Sequence, residues 1–268
     1  MKRSIRYGKA GIRCYRAYGG ASPLFGTEIT VEVFGETFLA AYTEGDNRNV
    51  VATDTMKNFV YAALLDYSGE THEGWCEHVG RRFLDTYPDM EWLRIRERDL
   101  TFVEQSDKLL EGPGRDWHGT VDMDIGRDGV RDLRAGAVDL RLVKLTGSAF
   151  AEFARDEYTT LPEREDRPLY VYLDVHWRYA ERGRPVFPEE VRSDVCAVFD
   201  SFVSRSIQHL LNEFGIRLLD RHPQLSEVSF SAQNRLWDTS AVSEADPRRR
   251  VYSDPKPAHG LIGLTISR

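Results

Sequence analysis

Apolar and polar residues alternate over residues 3–18 (Ile5, Tyr7, Ile12, Cys14, Tyr15), and the alternation resumes from Thr27 to Tyr42 with Ile29, Val31, Val33, Phe38 and Ala40. Successive side chains of a strand point to opposite faces, so the pattern predicts a long antiparallel hairpin, interrupted at Gly19-Gly20. The period then changes. From Thr55 to Tyr67 the residues Met56, Phe59, Val60, Ala63, Leu64 and Tyr67 recur at three and four, which gathers them on one face of a helix. Ser68-Gly69 ends that helix. A second follows from Thr71 to Tyr87, with Trp75, Val79, Phe83 and Leu84 inward and Pro88 as its stop. Two more strands, Trp92 to Gln105 and Trp117 to Ile125, flank a Gly112-Pro113-Gly114 loop, and Gly126 to Gly129 turns the chain again. The predicted order is ββααββ.

The second half predicts the same order without visible sequence identity to the first. Asp132 to Leu145 and Pro168 to Tyr179 read as strands, the latter through Leu169, Val171, Leu173, Val175 and Trp177. One helical region runs from Pro188 to about Leu219, with Val191, Val195, Phe199, Phe202, Leu210 and Phe214 inside, and Glu227 to Ala232 and Gly260 to Ile266 supply the last strands. The expected units are residues 1–130 and 131–268. Thr146 to Arg167 is too long for a plain hairpin loop and is rich in aromatics; long connections of this kind are often functional.

One junction stands apart. Gly45 to Asn58 reads GDNRNVVATDTMKN: a polar turn, the β-branched pair Val50-Val51, and Thr53-Asp54 directly ahead of a helix. Strand, turn, capped helix is the plain reading, because Thr or Asp can accept a hydrogen bond from the first helical turn, and the helix dipole favours negative charge there.

Composition narrows the field. A chain of 268 residues with 41% hydrophobic and 29% charged residues can bury a substantial core as a soluble protein. Its net charge of -7 argues against nucleic acid, which needs a basic face, so Arg94, Arg96, Arg98 and Arg248 to Arg250 read as solvated charges. No apolar run is long enough for a membrane span, and Met1-Lys2-Arg3 leads into a strand-like segment, so the expected setting is cytoplasmic. The three widely spaced cysteines, Cys14, Cys76 and Cys196, fit reduced thiols. His72 and His78 lie six apart, off one helical face, and no Cys/His spacing suits a metal.

The junction ATD-x-x-KN resembles the strand-to-helix junction of the urate oxidase (uricase) family. YGK at Tyr7 to Lys9, RDEYTTL at Arg155 to Leu161, Asp166-Arg167 and SIQ at Ser206 to Gln208 extend the match, in the family's order, over nearly the whole chain. The resemblance implies an α+β tunnelling fold: two tandem ββααββ units whose antiparallel sheets, from several subunits, close into a multimeric barrel with the helices outside. It also implies a homotetramer with sites at subunit interfaces, acting on urate and O2 with neither flavin nor metal.

Residue by residue, the resemblance gives Arg167 and Gln208 the edges of a flat anionic purine, since a guanidinium fork and a carboxamide match carbonyl and amide edges. By residue type alone they read as a surface ion pair beside Asp166 and a helix-surface amide. Phe150 matches the stacking aromatic, with core packing as the plain alternative, and Ile207 matches the aliphatic wall, where core packing and function are indistinguishable. The backbone of Thr53 and Asp54 would meet the purine at a helix start. Lys9, otherwise an exposed strand lysine, and Thr53 would form a proton relay from the neighbouring subunit, because desolvation favours a neutral amine. Asn234, in SAQNRLWD, matches the asparagine that holds O2 and later water.

One position departs from the family. Two residues after the asparagine, well-known members carry a relay histidine, and here that residue is Leu236. The relay is then shorter, uses another group such as His259 or Asp238, or is lost, leaving a non-catalytic or altered-specificity purine-binding homologue. A pterin or purine enzyme of the same fold, related to GTP cyclohydrolase, is the other alternative. It would need a Cys/His zinc site.

Overall fold

The alternation at the start of the chain forms an antiparallel pair, β1 (Arg6–Arg16) and β2 (Phe25–Phe34), in register from Arg6 opposite Phe34 to Arg16 opposite Phe25. The computed structural model describes residues 3–18, 24–106, 108–112, 115–254 and 256–268. The expected break at Gly19-Gly20, the Pro113-Gly114 part of the loop, and Met1-Lys2 lie outside the described residues. The fold is α+β with antiparallel sheet pairing, and the chain divides into two units, Met1–Gly136 and Ala137–Arg268.

In the first unit β2 is followed by α1 (Leu39–Thr43), α2 (Thr53–Asp66) and α3 (His72–Thr86). Then come β3 (Trp92–Asp99), the hairpin β4 (Val103–Ser106) and β5 (Leu109–Glu111), β6 (His118–Gly126) and the first part of β7 (Gly129–Lys144), giving the order β1-β2-β3-β6-β7. One face of the sheet is apolar and fully buried through Ile29, Val31, Val33, Leu93, Ile95 and Met123. Onto it α2 lays Met56, Val60, Ala63 and Leu64, and α3 lays Trp75, Cys76, Val79 and Phe83. Gly80 permits the close approach: a Cβ there would sit 2.5 Å from Ile125 Cγ2. The opposite face carries ion pairs across the strands. Arg94 meets Asp124 through two bonds of 2.7 and 2.8 Å, and Arg96 meets Glu32 at 2.6 Å, so these two arginines, read as solvated charges, are cross-strand partners.

Three expectations are corrected here. β2 stops at Phe34, because Gly35 takes φ +144° and turns the chain, and Ala40 lies in the short helix α1 instead of a strand. Val50-Val51 form no strand; the Val51 N–H donates to the Tyr7 hydroxyl at 2.9 Å. The strand expected to Gln105 ends at Asp99, and the remainder folds back as β4–β5.

The second unit takes the rest of β7, then β8 (Leu169–Tyr179), α4 (Pro188–Ser201), α5 (Ile207–Arg221), β9 (Leu225–Asn234), the hairpin β10 (Asp238–Val242) and β11 (Arg250–Ser253), and β12 (Gly260–Ser267). Its sheet order is β7-β8-β9-β12. Every second residue of β8 from Leu169 to Trp177 is buried, as period two requires. The single helical region expected from Pro188 is two helices. Lys144 Nζ donates to the Phe199, Asp200 and Phe202 carbonyls, closing α4, and Ser206 accepts from the His209 N–H at 3.1 Å, opening α5. The apolar spacing hides the break because Phe202 packs edge-on against His209, with ring centroids 4.7 Å apart.

A buried polar group sits inside the first unit. His72 Nδ1 lies 2.6 Å from Glu97 Oε1, Thr27 donates to the same oxygen at 2.7 Å, and Asp99 pairs with Arg115. Burial alone would lower the His72 pKa, but the Glu97 carboxylate outweighs it and raises it from 6.5 to about 9. Burial pushes Asp99 up from 3.8 to about 6 against the pull of Arg115. Both groups hold protons more tightly when folded, so the stability they contribute is complete at low pH. It is lost through 3.8 to 6 for Asp99 and 6.5 to 9 for His72. The urea midpoint is therefore expected to fall as pH rises from 6.5 to 9, with His72→Gln flattening the slope. A midpoint that rises over this range would contradict the coupling.

Candidate active site

The first group of candidate residues lies in the first half of β1 and at the start of α2. The register of β1 against β2 shifts between Lys9 and Ile12, with Gly11 at φ +67°, a bulge of the kind that re-aims neighbouring side chains. The preceding residues hold Lys9 in place. Gly8 lies flat on β2, where a Cβ would fall 2.1 Å from the Val31 carbonyl, and Tyr7 ties down the loop entering α2 through Val51. Lys9 is half-buried.

Thr53 and Asp54 are the first two residues of α2 and both are exposed. They are not the cap. Ala52 holds that position, with extended backbone and no side-chain cap bond, so the helix begins one residue earlier than its polar residues suggest. The Asp54 carboxylate instead accepts from Lys57 at 2.5 Å and Asn58 at 3.3 Å. The Lys57 hydrogen bond and charge hold it below the usual carboxylate range, with a smaller contribution from the charge of Lys9. Lys9 and Asp54 thus share one field.

The second group lies wholly within the second unit. The connection from Thr146 to Arg167 has little regular structure, and it is pinned at three points. Ala149 N–H donates to the Ser204 carbonyl at 2.8 Å. Phe150 and Arg164 exchange paired backbone bonds of 2.7 and 2.9 Å. The Asp166 carboxylate accepts from Thr146 Oγ1 and the Gly147 N–H, both at 2.7 Å. Burial works to raise the Asp166 pKa, but these hydrogen bonds outweigh it and the net shift is downward. Asp166 is therefore engaged with the loop, and it does not form the surface ion pair with Arg167 that residue type suggests.

Arg167 points elsewhere. Phe150, Arg167, Ile207, Gln208, Asn234 and Leu236 line one cavity of about 120 Å³, closed by Leu161 and Ile262. The Arg167 guanidinium lies 5.1 Å from the centre of the Phe150 ring, and burial lowers its pKa. Ile207 and Gln208 open α5 behind their Ser206 cap, the first buried and the second exposed. Asn234 ends β9, opposite Val171 on one side and Gly260 on the other. Two atoms of this wall, Arg167 Nε and Asn234 Oδ1, are buried without a hydrogen-bond partner. Such groups cost free energy unless something satisfies them, so the wall presents one unused donor and one unused acceptor.

All five candidates from the second half thus converge, while Lys9, Thr53 and Asp54 gather in the first unit. The residue reading missed Ile262, which only strand alternation could have indicated, and the Ser204 anchor, and it gave Asp166 the wrong partner, Arg167 in place of Thr146 and Gly147. Among the described residues no group of three or more His, Cys, Asp or Glu side chains could hold a metal. No described helix is long and apolar enough to cross a membrane.

The uricase family profile matches residues 5–104 and 133–263. The chain belongs to the uricase family. It is 36% identical to a uricase of Haloferax volcanii over 98% of both chains. It is 35% identical to the uric acid degradation bifunctional protein PucL of Bacillus subtilis, of which it spans 62% of the length. A uricase structure from Bacillus fastidious superposes with a TM-score of 0.91 at 32% identity, covering 100% of this chain and 94% of that one.

In this uricase-family chain the wall depends on Asp166. Asp166→Ala removes the acceptor for Thr146 and Gly147 at an exposed site and is expected to cost about 1 kcal/mol in urea unfolding and to speed proteolysis within residues 146–167. An unchanged midpoint and cleavage rate would show that the loop is held by its other bonds.

Proposed function

We propose that the chain oxidises urate with O2 and water to 5-hydroxyisourate and hydrogen peroxide. The observation that carries this reading is the pair of buried, unpartnered atoms, Arg167 Nε and Asn234 Oδ1, in one wall with Phe150 and Gln208. Phe150 offers a ring face to a flat purine, Arg167 and Gln208 address its carbonyl and amide edge, and Ile207 closes the side. Asn234 holds O2, and then water, over the ring. Lys9, acting through the Thr53 hydroxyl, takes a proton from urate or water, while the backbone N–H groups at Thr53 and Asp54 meet the anionic ligand. Two electrons pass from urate to O2, which leaves with two protons as hydrogen peroxide, and the elements of water add to the purine. Positioning and electrostatics supply the acceleration, with no flavin or metal.

The cavity of about 120 Å³ is smaller than the roughly 300 Å³ or more of ordinary ligand sites, which supports a site completed by a second copy of the chain. In this reading Lys9, Thr53 and Asp54 come from a neighbouring subunit of a homotetramer. Each unit serves as a ββααββ tunnelling unit, and the sheets join into a barrel with the helices outside. Support comes from the element order in each unit and from β1 and β12, whose outer edges pair with no strand among the described residues. The three free cysteines accord with a cytoplasmic setting.

A second reading, binding without turnover, is favoured by one observation: Leu236 lines the cavity where the family's relay histidine would be, and leucine moves no proton. Oxygen uptake and peroxide release by metal-stripped protein given urate separate the two. The oxidase reading expects both at equal rates, and saturable urate binding without either would overturn it.

Two variants test the roles. Arg167→Lys should raise KM about tenfold, since an ammonium cannot reproduce the planar fork, and an unchanged KM would remove Arg167 from the site. Lys9→Met should lower kcat about a hundredfold with little change in KM, and normal turnover would route the proton elsewhere.

A further inference from the structure

Beside the cavity just described lies a second one in the same unit, of about 330 Å³, which shares Leu161, Arg167 and Leu236 with the first. Trp237, Thr239, Arg250 and Tyr252, from β10–β11 and the residues entering it, line it together with Arg164 and Asp166. The bridge that sets Phe150 in the wall of the first cavity holds Arg164 opposite it by two backbone bonds and so sets Arg164 in the wall of the second.

The chemistry of this second space is cationic and aromatic. Arg164, Arg167 and Arg250 are three of its lining residues. Of its two carboxylates, Asp166 accepts hydrogen bonds from Thr146 and Gly147, and Asp238 is paired with Lys256 at 3.2 Å. Arg250 is steadied through Nε, which donates to the Pro247 carbonyl at 2.9 Å. Trp237 and Tyr252 stand with ring centroids 5.8 Å apart, and Trp237 packs edge-on against Tyr170 at 5.7 Å, so the aromatic wall is braced from behind. Three arginines against two aspartates leave the lining with an excess of positive charge, which favours an anion, and an aromatic face adds affinity for a flat ring.

We propose that the second cavity is a staging site that binds the planar urate anion on the Trp237–Tyr252 face, between Arg164 and Arg250, before it passes Leu161 and Leu236 into the catalytic cavity. Arg167, common to both walls, has five N–H donors and can hand the anion from one to the other. Leu236 then serves as an apolar partition between the two spaces. This inference rests on the urate reading.

Equilibrium dialysis of urate against the purified protein under argon, where no turnover occurs, tests it. Two binding phases are expected, the weaker falling with added salt. Arg250→Gln and Trp237→Leu should each weaken that phase about tenfold and leave the tighter phase unchanged. Using both variants guards against one that misfolds. A single phase in the native chain, or a weaker phase that neither variant moves, would overturn the staging site and leave the urate reading standing. No urate bound at all would overturn both.

Discussion

The second unit is organised around a cost: two polar atoms, Arg167 Nε and Asn234 Oδ1, buried in a cavity wall with nothing to bond. Each such group costs about 1–3 kcal/mol, and a fold tolerates that only where its surroundings fix the side chain too firmly to let it escape. Those surroundings can be named. Asn234 is held at the end of β9 between Val171 and Gly260, and Arg167 follows an aspartate whose carboxylate is clamped by Thr146 and Gly147. The loop is fastened in turn to the break between α4 and α5, which is also where Ile207 and Gln208 begin. One local feature, the interruption of an otherwise continuous apolar helix, thus fixes both the loop and the helix start that share the cavity.

The first unit follows the same logic with different means. Tyr7, Gly8 and Lys9 are consecutive, and each does a different job: a hydroxyl that accepts from the loop entering α2, a missing Cβ that lets β1 lie against β2, and an amine beside a bulge. The charge of Lys9 is felt at Asp54 because that loop is tied to the strand. In the proposed reaction these residues supply proton transfer, and the second unit supplies binding.

How much of this could be read from the chain depends on burial. β2 and β8, with every second residue buried, and α2 and α3, each with an apolar stripe, announce themselves through periodicity. The hairpins β4–β5 and β10–β11 do not, because nearly all their residues are exposed and no buried face imposes alternation. The break after α4 was hidden because Phe202 continues the apolar spacing across it. The candidate residues came from motif resemblance; residue type alone favoured blander readings for most of them. Four separate stretches meet in the cavity, and no local pattern encodes that meeting. Leu236 was visible in the sequence as a departure, but its position between two cavities was not.

The most direct test of this account is a crystal structure of the protein with urate, grown without oxygen so that the ligand survives. The account predicts the purine plane against Phe150, with Arg167 and Gln208 on its carbonyl edge and Asn234 within reach of the ring, so that the unpartnered guanidinium nitrogen gains its acceptor. A purine bound elsewhere, with Arg167 Nε still unpaired, would contradict it.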